Sequence, residues 1–471
     1  MTNTVETPET QSPAASATVG EGGRRKWVYA DLPHGRFDRA RNIVYSLLLL
    51  FYLGAPWLNV NGQPFLRFDL PARRFSIFGT TFVATDLYLL ALLLLISAVA
   101  MFFFSALLGR LWCGWACPQT VFLEGIFRRL ERRIEGSPMK RRKLDDGPKN
   151  AEYWTNKMSK SAVFLIVSAI LSLGFVAFFI GPRGMIEMLS GDVAHPAGLV
   201  TTILLTGLTY WNFAWFREQF CTFLCPYARF QAVMLDDHSL IVGYDPRRGE
   251  PRGMFRPGQS WESRGDCIDC KRCVQVCPTG IDIRNGLQLE CVSCTACIDA
   301  CDAVMDRISR PRGLVRYDSL TGLAGRKRRV VRQRVVVYAV IMILLLVIFT
   351  TRVMSRDRVE LTVARAAGVP YLVQEDGRVR NLFTLHVTNS EAFEQTITID
   401  VDGHPDIELI VPGQPFAVPP GGRISTEAFV LLPKDKINAS ETPVVFRLLN
   451  GDSVLTRTKT VFLGPLRRST Q

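Results

Sequence analysis

The chain has 471 residues, 48% of them hydrophobic, and its 56 Lys and Arg outnumber 43 Asp and Glu to leave a formal net charge of +13. So long, apolar and basic a chain fits poorly with one soluble globule and fits a membrane protein with basic flanks. The positive charge gathers at the ends of apolar runs, which makes membrane orientation and contact with anionic lipid a better explanation than nucleic-acid binding.

Residues 1–40 read as a disordered, basic N-terminus. The first 23 are Thr, Ser, Pro, Ala and Glu without an apolar stretch, so they are not a cleavable signal peptide. Apolar runs then recur near 42–58, 86–109, 162–182, 197–216 and 335–351. Each is roughly 17 to 24 residues, the length an α-helix needs to span a bilayer, and a soluble helix would keep a polar face. Five transmembrane helices are expected. Arg24, Arg25, Lys26, Arg36, Arg39 and Arg41 precede the first, and RRLERRIEGSPMKRRK lies between the second and third, which puts both stretches on the cytoplasmic side. Five crossings then place everything after residue 352 outside.

This divides the chain into 41–135 with helices one and two, a basic cytoplasmic loop at 136–161, 162–235 with helices three and four, a cytoplasmic insert at 236–333, helix five at 334–352 and a periplasmic domain at 353–471. The two helix pairs form a weak internal repeat. Each ends in Cys-x-x-x-Cys-Pro, CGWACP at Cys113 and Cys117 and CTFLCP at Cys221 and Cys225. Proline disfavours the α conformation in the residue before it and suits the first position of a helix, so Cys117 and Cys225 are expected at helix starts. The helix N-terminus and neighbouring Arg110, Arg128 or Arg229 are expected to favour thiolates there. Four such thiols suit a soft ion such as Cu(I), although buried cysteines also serve as small apolar packing residues. Met234, Asp236, Asp237 and His238 follow the second motif and read either as further ligands or as a solvated turn.

All twelve cysteines lie between 113 and 301, on the reducing side by this topology, so metal or redox roles are expected rather than disulfides. CIDCKRCVQVCP and CVSCTACIDAC share the spacing C-x2-C-x2-C-x3-C. Three close thiolates on a tight loop bind three irons of one cubane, and the fourth corner needs a cysteine from elsewhere. Over Arg264–Arg307 the chain resembles a bacterial-type dicluster ferredoxin, in which the fourth cysteine of each run crosses over. That assigns Cys267, Cys270, Cys273 and Cys301 to one [4Fe–4S] cluster and Cys291, Cys294, Cys297 and Cys277 to the other. Zinc knuckles are the alternative, usually with their Cys-x-x-Cys pairs far apart. One departure is Asp302, where the ferredoxin pattern has proline after the last cysteine, as Pro278 follows Cys277.

No Cys-x-x-Cys-His is present for haem c, and no expected span holds a His pair for haem b: His34 and His195 lie outside the spans, and His238, His386 and His404 lie in soluble segments. G-x-G-x-x-G and Walker sequences are also lacking, so a nucleotide-driven step has no support. In the exported part, FTLHVT and TITIDV alternate with period two, and Asn450-Gly451 signals a type I′ hairpin. Seven or eight such strands suggest an immunoglobulin-like sandwich without its disulfide.

With both Cys-x-x-x-Cys-Pro motifs, the dicluster insert, a fifth helix and the β-domain, residues 25–465 resemble the CcoG (FixG, RdxA/RdxB) family. The resemblance implies an accessory protein of cbb3-type cytochrome c oxidase assembly, a cupric reductase in the bacterial inner membrane that delivers Cu(I). Its implied partners are oxidase subunits or a copper transporter or chaperone, and an unidentified cytoplasmic electron donor and a homodimer are further expectations. The helices and insert also resemble the quinol-linked NapH and NosR proteins, which makes a quinol-oxidising subunit one alternative. A non-catalytic scaffold or redox sensor is the other.

Overall fold

The structure is a computed structural model. It describes residues 18–20, 24–60, 62–71, 74–82, 86–191, 196–254, 261, 264–355, 359–366, 368–391, 393–437 and 439–465. Of residues 1–40, expected to be disordered, 1–17 and 21–23 lie outside the described residues, as does His195, whereas the Arg36–Gly54 helix already begins within that stretch. The chain forms two compact units, Met1–Ala55 with Leu92–Leu346 and Pro56–Ala91 with Val347–Gln471.

Among the described residues, three helices are long and apolar enough to cross a membrane: Leu87–Leu108, Ala151–Leu189 and Gln333–Met354. The other two expected spans are helical but fall short on those measures. Arg36–Gly54 begins with Arg36, Asp38, Arg39 and Arg41, and Pro196–Trp211 has 16 residues before its hydrogen bonding changes to a π-helical segment over Asn212–Phe216. The Ala151–Leu189 helix starts within the expected basic loop, capped by the Asn150 side chain, which accepts from Tyr153 N–H at 3.0 Å. Its helical path breaks at Gly181 (φ 75°), just before Pro182, where the sequence ends the third apolar run.

The basic segment between the second and third runs is only partly a solvated face. Arg128 and Arg141 are buried, as are Glu131 and Glu135. Glu131 pairs with Arg217 at 2.6 Å, Arg141 at 2.7 Å and Lys160 at 3.4 Å, and Glu135 takes Lys157 and Lys160, each at 2.8 Å. These charges hold helices together, a use that counting Lys and Arg along the chain does not reveal.

The cysteine-rich insert packs between a two-stranded antiparallel sheet, Ile241–Tyr244 against Val315–Asp318, and the Ala296–Arg307 helix. Val242, Ile281, Ile283, Ile298, Met305 and Leu314 fill its core together with cysteine side chains. Its two cysteine loops share an uncommon backbone. Asp269 and Lys271 in the first, and Ser293 and Thr295 at the equivalent places in the second, all have positive φ between 52° and 65°. Left-handed residues interleaved with right-handed ones turn successive N–H groups into one concavity, the form that suits an iron–sulfur cluster.

In the second unit, residues 359–463 form two antiparallel sheets. One orders Glu408–Ile410, Arg423–Pro433, Arg378–Asn389 and Val359–Arg365, with Leu372–Val373 also on Arg378–Asn389, and the other orders Phe416–Val418, Gln395–Asp402, Glu441–Asn450 and Ser453–Leu463. Phe383, Leu385 and Val387 point into the core as their alternation predicts, and Phe383 meets Phe446 of the other sheet edge-on at 5.4 Å. Buried amides tie the sheets together. Asn381 donates to Leu463 O at 2.7 Å and accepts from Leu463 N at 2.9 Å, and Asn389 donates to Val418 O at 3.0 Å. The hairpin forms one residue later than expected. Asn450 pairs with Ser453, so Gly451 (φ 57°) and Asp452 make the turn. Between the first two apolar runs lie five short strands, from Asn59–Val60 to Thr80–Phe82.

Candidate iron–sulfur and membrane-edge cysteine site

Four thiols, Cys267, Cys270, Cys273 and Cys301, line one cavity of the insert. Cys277, Cys291, Cys294 and Cys297 line a second, which Cys273 also borders. Each group thus joins three cysteines of one run to the last cysteine of the other. The thiols surround a space instead of converging on a point, and among the described residues no three His, Cys, Asp or Glu side chains converge closely enough for a single ion. That spacing, with the paired left-handed loops, fits a four-iron cluster. Burial pushes the Cys273, Cys294 and Cys301 thiols up to about 12 and Cys291 up to about 11.

Asp302, the departure from the ferredoxin pattern, has a structural use. Its Oδ1 accepts from Gly313 N–H at 3.0 Å and its Oδ2 pairs with Arg36 at 3.5 Å. Asp299, one turn earlier and buried, accepts from Phe37 N–H at 3.2 Å and Asp38 N–H at 2.7 Å. The insert therefore caps the start of the Arg36–Gly54 helix through 260 residues of intervening chain, satisfying N–H groups that no local side chain reaches. A Cβ on Gly35 would run into the Asp299 carboxyl, which is why glycine stands there.

The two Cys-x-x-x-Cys-Pro motifs come together. Cys117 and Cys225 have extended backbones (φ −62°, ψ 127° and φ −72°, ψ 110°), and Pro118 and Pro226 open the helices that follow, as the prolines predict. Cys113 lies in the Leu111–Trp115 helix and Cys221 in a π-helical turn, Phe220–Leu224. Cys113 donates to Oε1 of the fully buried Gln231 at 3.1 Å, which links the first motif to the helix after the second. Gln119 and Asn212 exchange amide hydrogen bonds at 3.4 and 2.7 Å. π-helical turns flank both motifs, a distortion often found at functional sites.

The expectation of low-pKa thiolates is corrected here. Burial pushes Cys113 and Cys221 up to about 12 and also raises Cys117, and neighbouring thiols add to each of these rises. The N–H groups of Gln119 and Thr120 face Cys117 as the helix start predicts, but they are outweighed. The Arg110 charge does favour the Cys113 and Cys221 thiolates but is outweighed by burial, and the arginines also have other partners. Arg128 binds Glu124 at 2.6 Å, Glu218 at 3.2 Å and Pro278 O at 2.7 Å, and Arg229 reaches Phe223 O at 3.5 Å. Arg110, buried, donates to Ala228 O at 2.9 Å, Cys291 O at 3.3 Å and Leu289 O, so it fastens the second cysteine loop to both motifs.

The first motif sits directly on that loop. At Gly114 a Cβ would stand 2.6 Å from Val292 O and 2.8 Å from Cys294 Cα, so only glycine permits this approach. Tyr45 donates to Gly114 O at 2.7 Å from the first helix. Trp115 donates to Tyr317 Oη at 3.0 Å, and Tyr317 donates to Ser293 O at 2.9 Å. The turn after the second motif is structural: Asp236 Oδ1 accepts from His238 N–H at 2.9 Å and Ser239 Oγ at 3.1 Å and pairs with Arg332.

Two cavities lined by crossed sets of thiols, a dicluster loop pair and apolar helices define an iron–sulfur electron-transfer protein of the membrane. Models of known families agree. Residues 216–320 match one described as a "4Fe-4S dicluster domain", residues 90–136 one described as a "4Fe-4S binding domain", and residues 349–465 one for an "IG-like fold at C-terminal of FixG". The chain belongs to the FixG, RdxA and RdxB family. It is 32% identical to nitrogen fixation protein FixG of Rhizobium meliloti, over 89% of this chain and 88% of that one. RdxA and RdxB of Cereibacter sphaeroides are 35% and 34% identical to it, over 80% and 87% of this chain and 83% and 88% of theirs. A crystal structure of a FixG-related protein from Vibrio parahaemolyticus covers 24% of this chain and all of its own, at 25% identity and a TM-score of 0.21.

Proposed function

We propose that this protein reduces Cu(II) to Cu(I) at Cys113, Cys117, Cys221 and Cys225, on the cytoplasmic face of the bacterial inner membrane, in support of cbb3-type cytochrome c oxidase assembly. The observation that carries the reading is the glycine-tight seat of the first motif on the Cys291–Cys294 loop, which puts redox-capable thiols against the iron–sulfur insert. In this reading Cys267, Cys270, Cys273 and Cys301 hold one [4Fe–4S] cluster and Cys291, Cys294, Cys297 and Cys277 the other. When bound, such clusters supply one-electron transfer at low potential.

The thiols do the rest. Soft sulfur donors prefer Cu(I) over Cu(II), so gain of one electron strengthens the bond to the ion. Copper displaces the proton that burial keeps on Cys113, Cys117 and Cys221, and the Gln119 and Thr120 N–H groups stabilise the Cys117 thiolate that results. The topology of the proposal has the N-terminus and insert in the cytoplasm, five crossings and the β-domain in the periplasm, where it would contact oxidase subunits or a copper-handling partner. Anaerobically purified protein given dithionite should reduce Cu(II), and changing all four membrane-edge cysteines to Ser should slow this at least tenfold. Undiminished reduction by that variant would sink the proposal.

The match of residues 90–136 to a 4Fe–4S model favours a second reading, in which the four thiols hold a further cluster. Iron analysis separates the two, at about eight irons per chain for the first and about twelve for the second.

A further inference from the structure

Arg110 stands between the two cysteine systems. It precedes Cys113 by three residues, and its side chain donates to Ala228 O at 2.9 Å, three residues after Cys225, and to Cys291 O at 3.3 Å and Leu289 O on the second cysteine loop. Gly109 (φ 59°) makes the turn that directs it there, since a Cβ at that position would run into Leu240 O.

Only 6% exposed, Arg110 is one of five buried arginines among the described residues. The other four each have a carboxylate. Arg41 has Asp38 at 3.4 Å, Arg128 has Glu124 at 2.6 Å, Arg141 has Glu131 at 2.7 Å and Arg217 has Glu131 at 2.6 Å. Arg110 has carbonyl oxygens alone, and among the described residues no Asp or Glu pairs with it. A buried cation without an anion is costly. The groups facing this one are sulfurs: against the larger effect of burial, its charge favours the thiolates of Cys113, Cys221 and Cys291. Those sulfurs become anionic when they bind metal.

The outer thiol group, Cys267, Cys270, Cys273 and Cys301, is built differently. Cys270 is the exposed one among the twelve cysteines. The arginine facing Cys273, Arg284, is already neutralised by Asp282 at 2.6 Å and by Asp269. The inner group, Cys277, Cys291, Cys294 and Cys297, lies under the first motif. Arg41 faces Cys294 from the first helix, but it brings Asp38 with it. Burial disfavours the added negative charge of a reduced cluster and exposure favours it, so burial by itself would hold electrons on the outer cluster.

We infer that Arg110 raises the reduction potential of the inner cluster to or above that of the outer one, and so directs electrons from the exposed cluster inward to the membrane-edge thiols. Its uncompensated charge, fixed in a low-dielectric position, offsets the charge that reduction adds. Each transfer oxidises the outer cluster by one electron and reduces the inner one by one. The inference rests on the two-cluster assignment of the proposed function and does not depend on copper.

The test is a potentiometric titration of full-length, anaerobically purified protein without copper, followed by electron paramagnetic resonance, with Cys267→Ser and Cys291→Ser marking the outer and inner signals. In the wild type the inner signal should develop at or above the potential of the outer one. Arg110→Gln should lower the inner midpoint by about 59 mV, a tenfold fall in its reduced-to-oxidised ratio at fixed potential, and leave the outer midpoint in place. Arg110→Lys keeps the charge without the fork of hydrogen bonds and should stay within about twofold of the wild-type ratio. If Arg110→Gln loses iron, Cys113→Asp decides, because it keeps Arg110 and its carbonyl bonds while placing a carboxylate beside the guanidinium. It should lower the inner midpoint in the same direction, and Cys113→Asn should not. A wild-type inner signal below the outer one, an inner midpoint unmoved by the deciding variant, equal shifts of both signals, or the same shift with Lys as with Gln overturns the inference. A wild type with about four irons and a single cluster signal overturns the cluster reading beneath it instead.

Discussion

Gly114 joins two chemistries that lie far apart in sequence. With any side chain there, the Leu111–Trp115 helix would have to retreat from Val292 O and Cys294 Cα. Gly114→Val should therefore loosen the Cys291–Cys294 loop and lower iron from about eight toward about four per chain. A full iron complement with an unaltered electron paramagnetic resonance spectrum would contradict that role. The crossed cysteine groups make a second claim at this scale. Cys301→Ser should disturb the same cluster signal as Cys267→Ser, and Cys277→Ser the same signal as Cys291→Ser. Pairing of Cys301 with Cys291 in such spectra would overturn the assignment.

At the scale of elements, the buried acid cluster decides how the basic segment after the first motif is used. Burial alone would raise Glu131, yet Arg217, Lys160 and Arg141 hold its carboxyl down at about 2. Glu131→Gln leaves those cations uncompensated and should cost about 3–5 kcal/mol, read as a lower thermal midpoint. Because its folded pKa lies below the ordinary 4.5, the carboxylate's contribution is fully present above pH 4.5 and is lost as pH falls from there toward about 2. The wild type should lose stability over that interval more steeply than the Gln variant, and parallel pH profiles would argue against the network. The Arg36–Gly54 helix is governed the same way from a distance. Gly35→Val would displace the Asp299 cap, with an expected loss of about 1 kcal/mol.

For the whole molecule, the proposed topology is testable by reporters. A periplasm-dependent phosphatase fused after residue 465 should be active, and the same enzyme inserted at 148–149, in the basic loop, should be silent. The opposite result would invert the proposed orientation.

The cysteine spacing by itself determined the iron–sulfur class, because a cubane needs three thiols on one short loop. The alternation in FTLHVT and TITIDV likewise determined the β-sandwich, since a period of two dictates which side chains are buried. Proline placed Cys117 and Cys225 at helix starts. What only the tertiary structure decided are the properties that depend on neighbours distant in sequence. The Cys113 and Cys221 thiols lie high because burial outweighs the Arg110 charge, the Cys117 thiol is raised because burial outweighs the helix start, and Arg128 serves Glu218 and Pro278 instead of a thiol. Asp302 replaces proline because it holds Arg36 and Gly313. Local spacing sets which atoms can bind iron, whereas burial and long-range pairing set the charge each one carries.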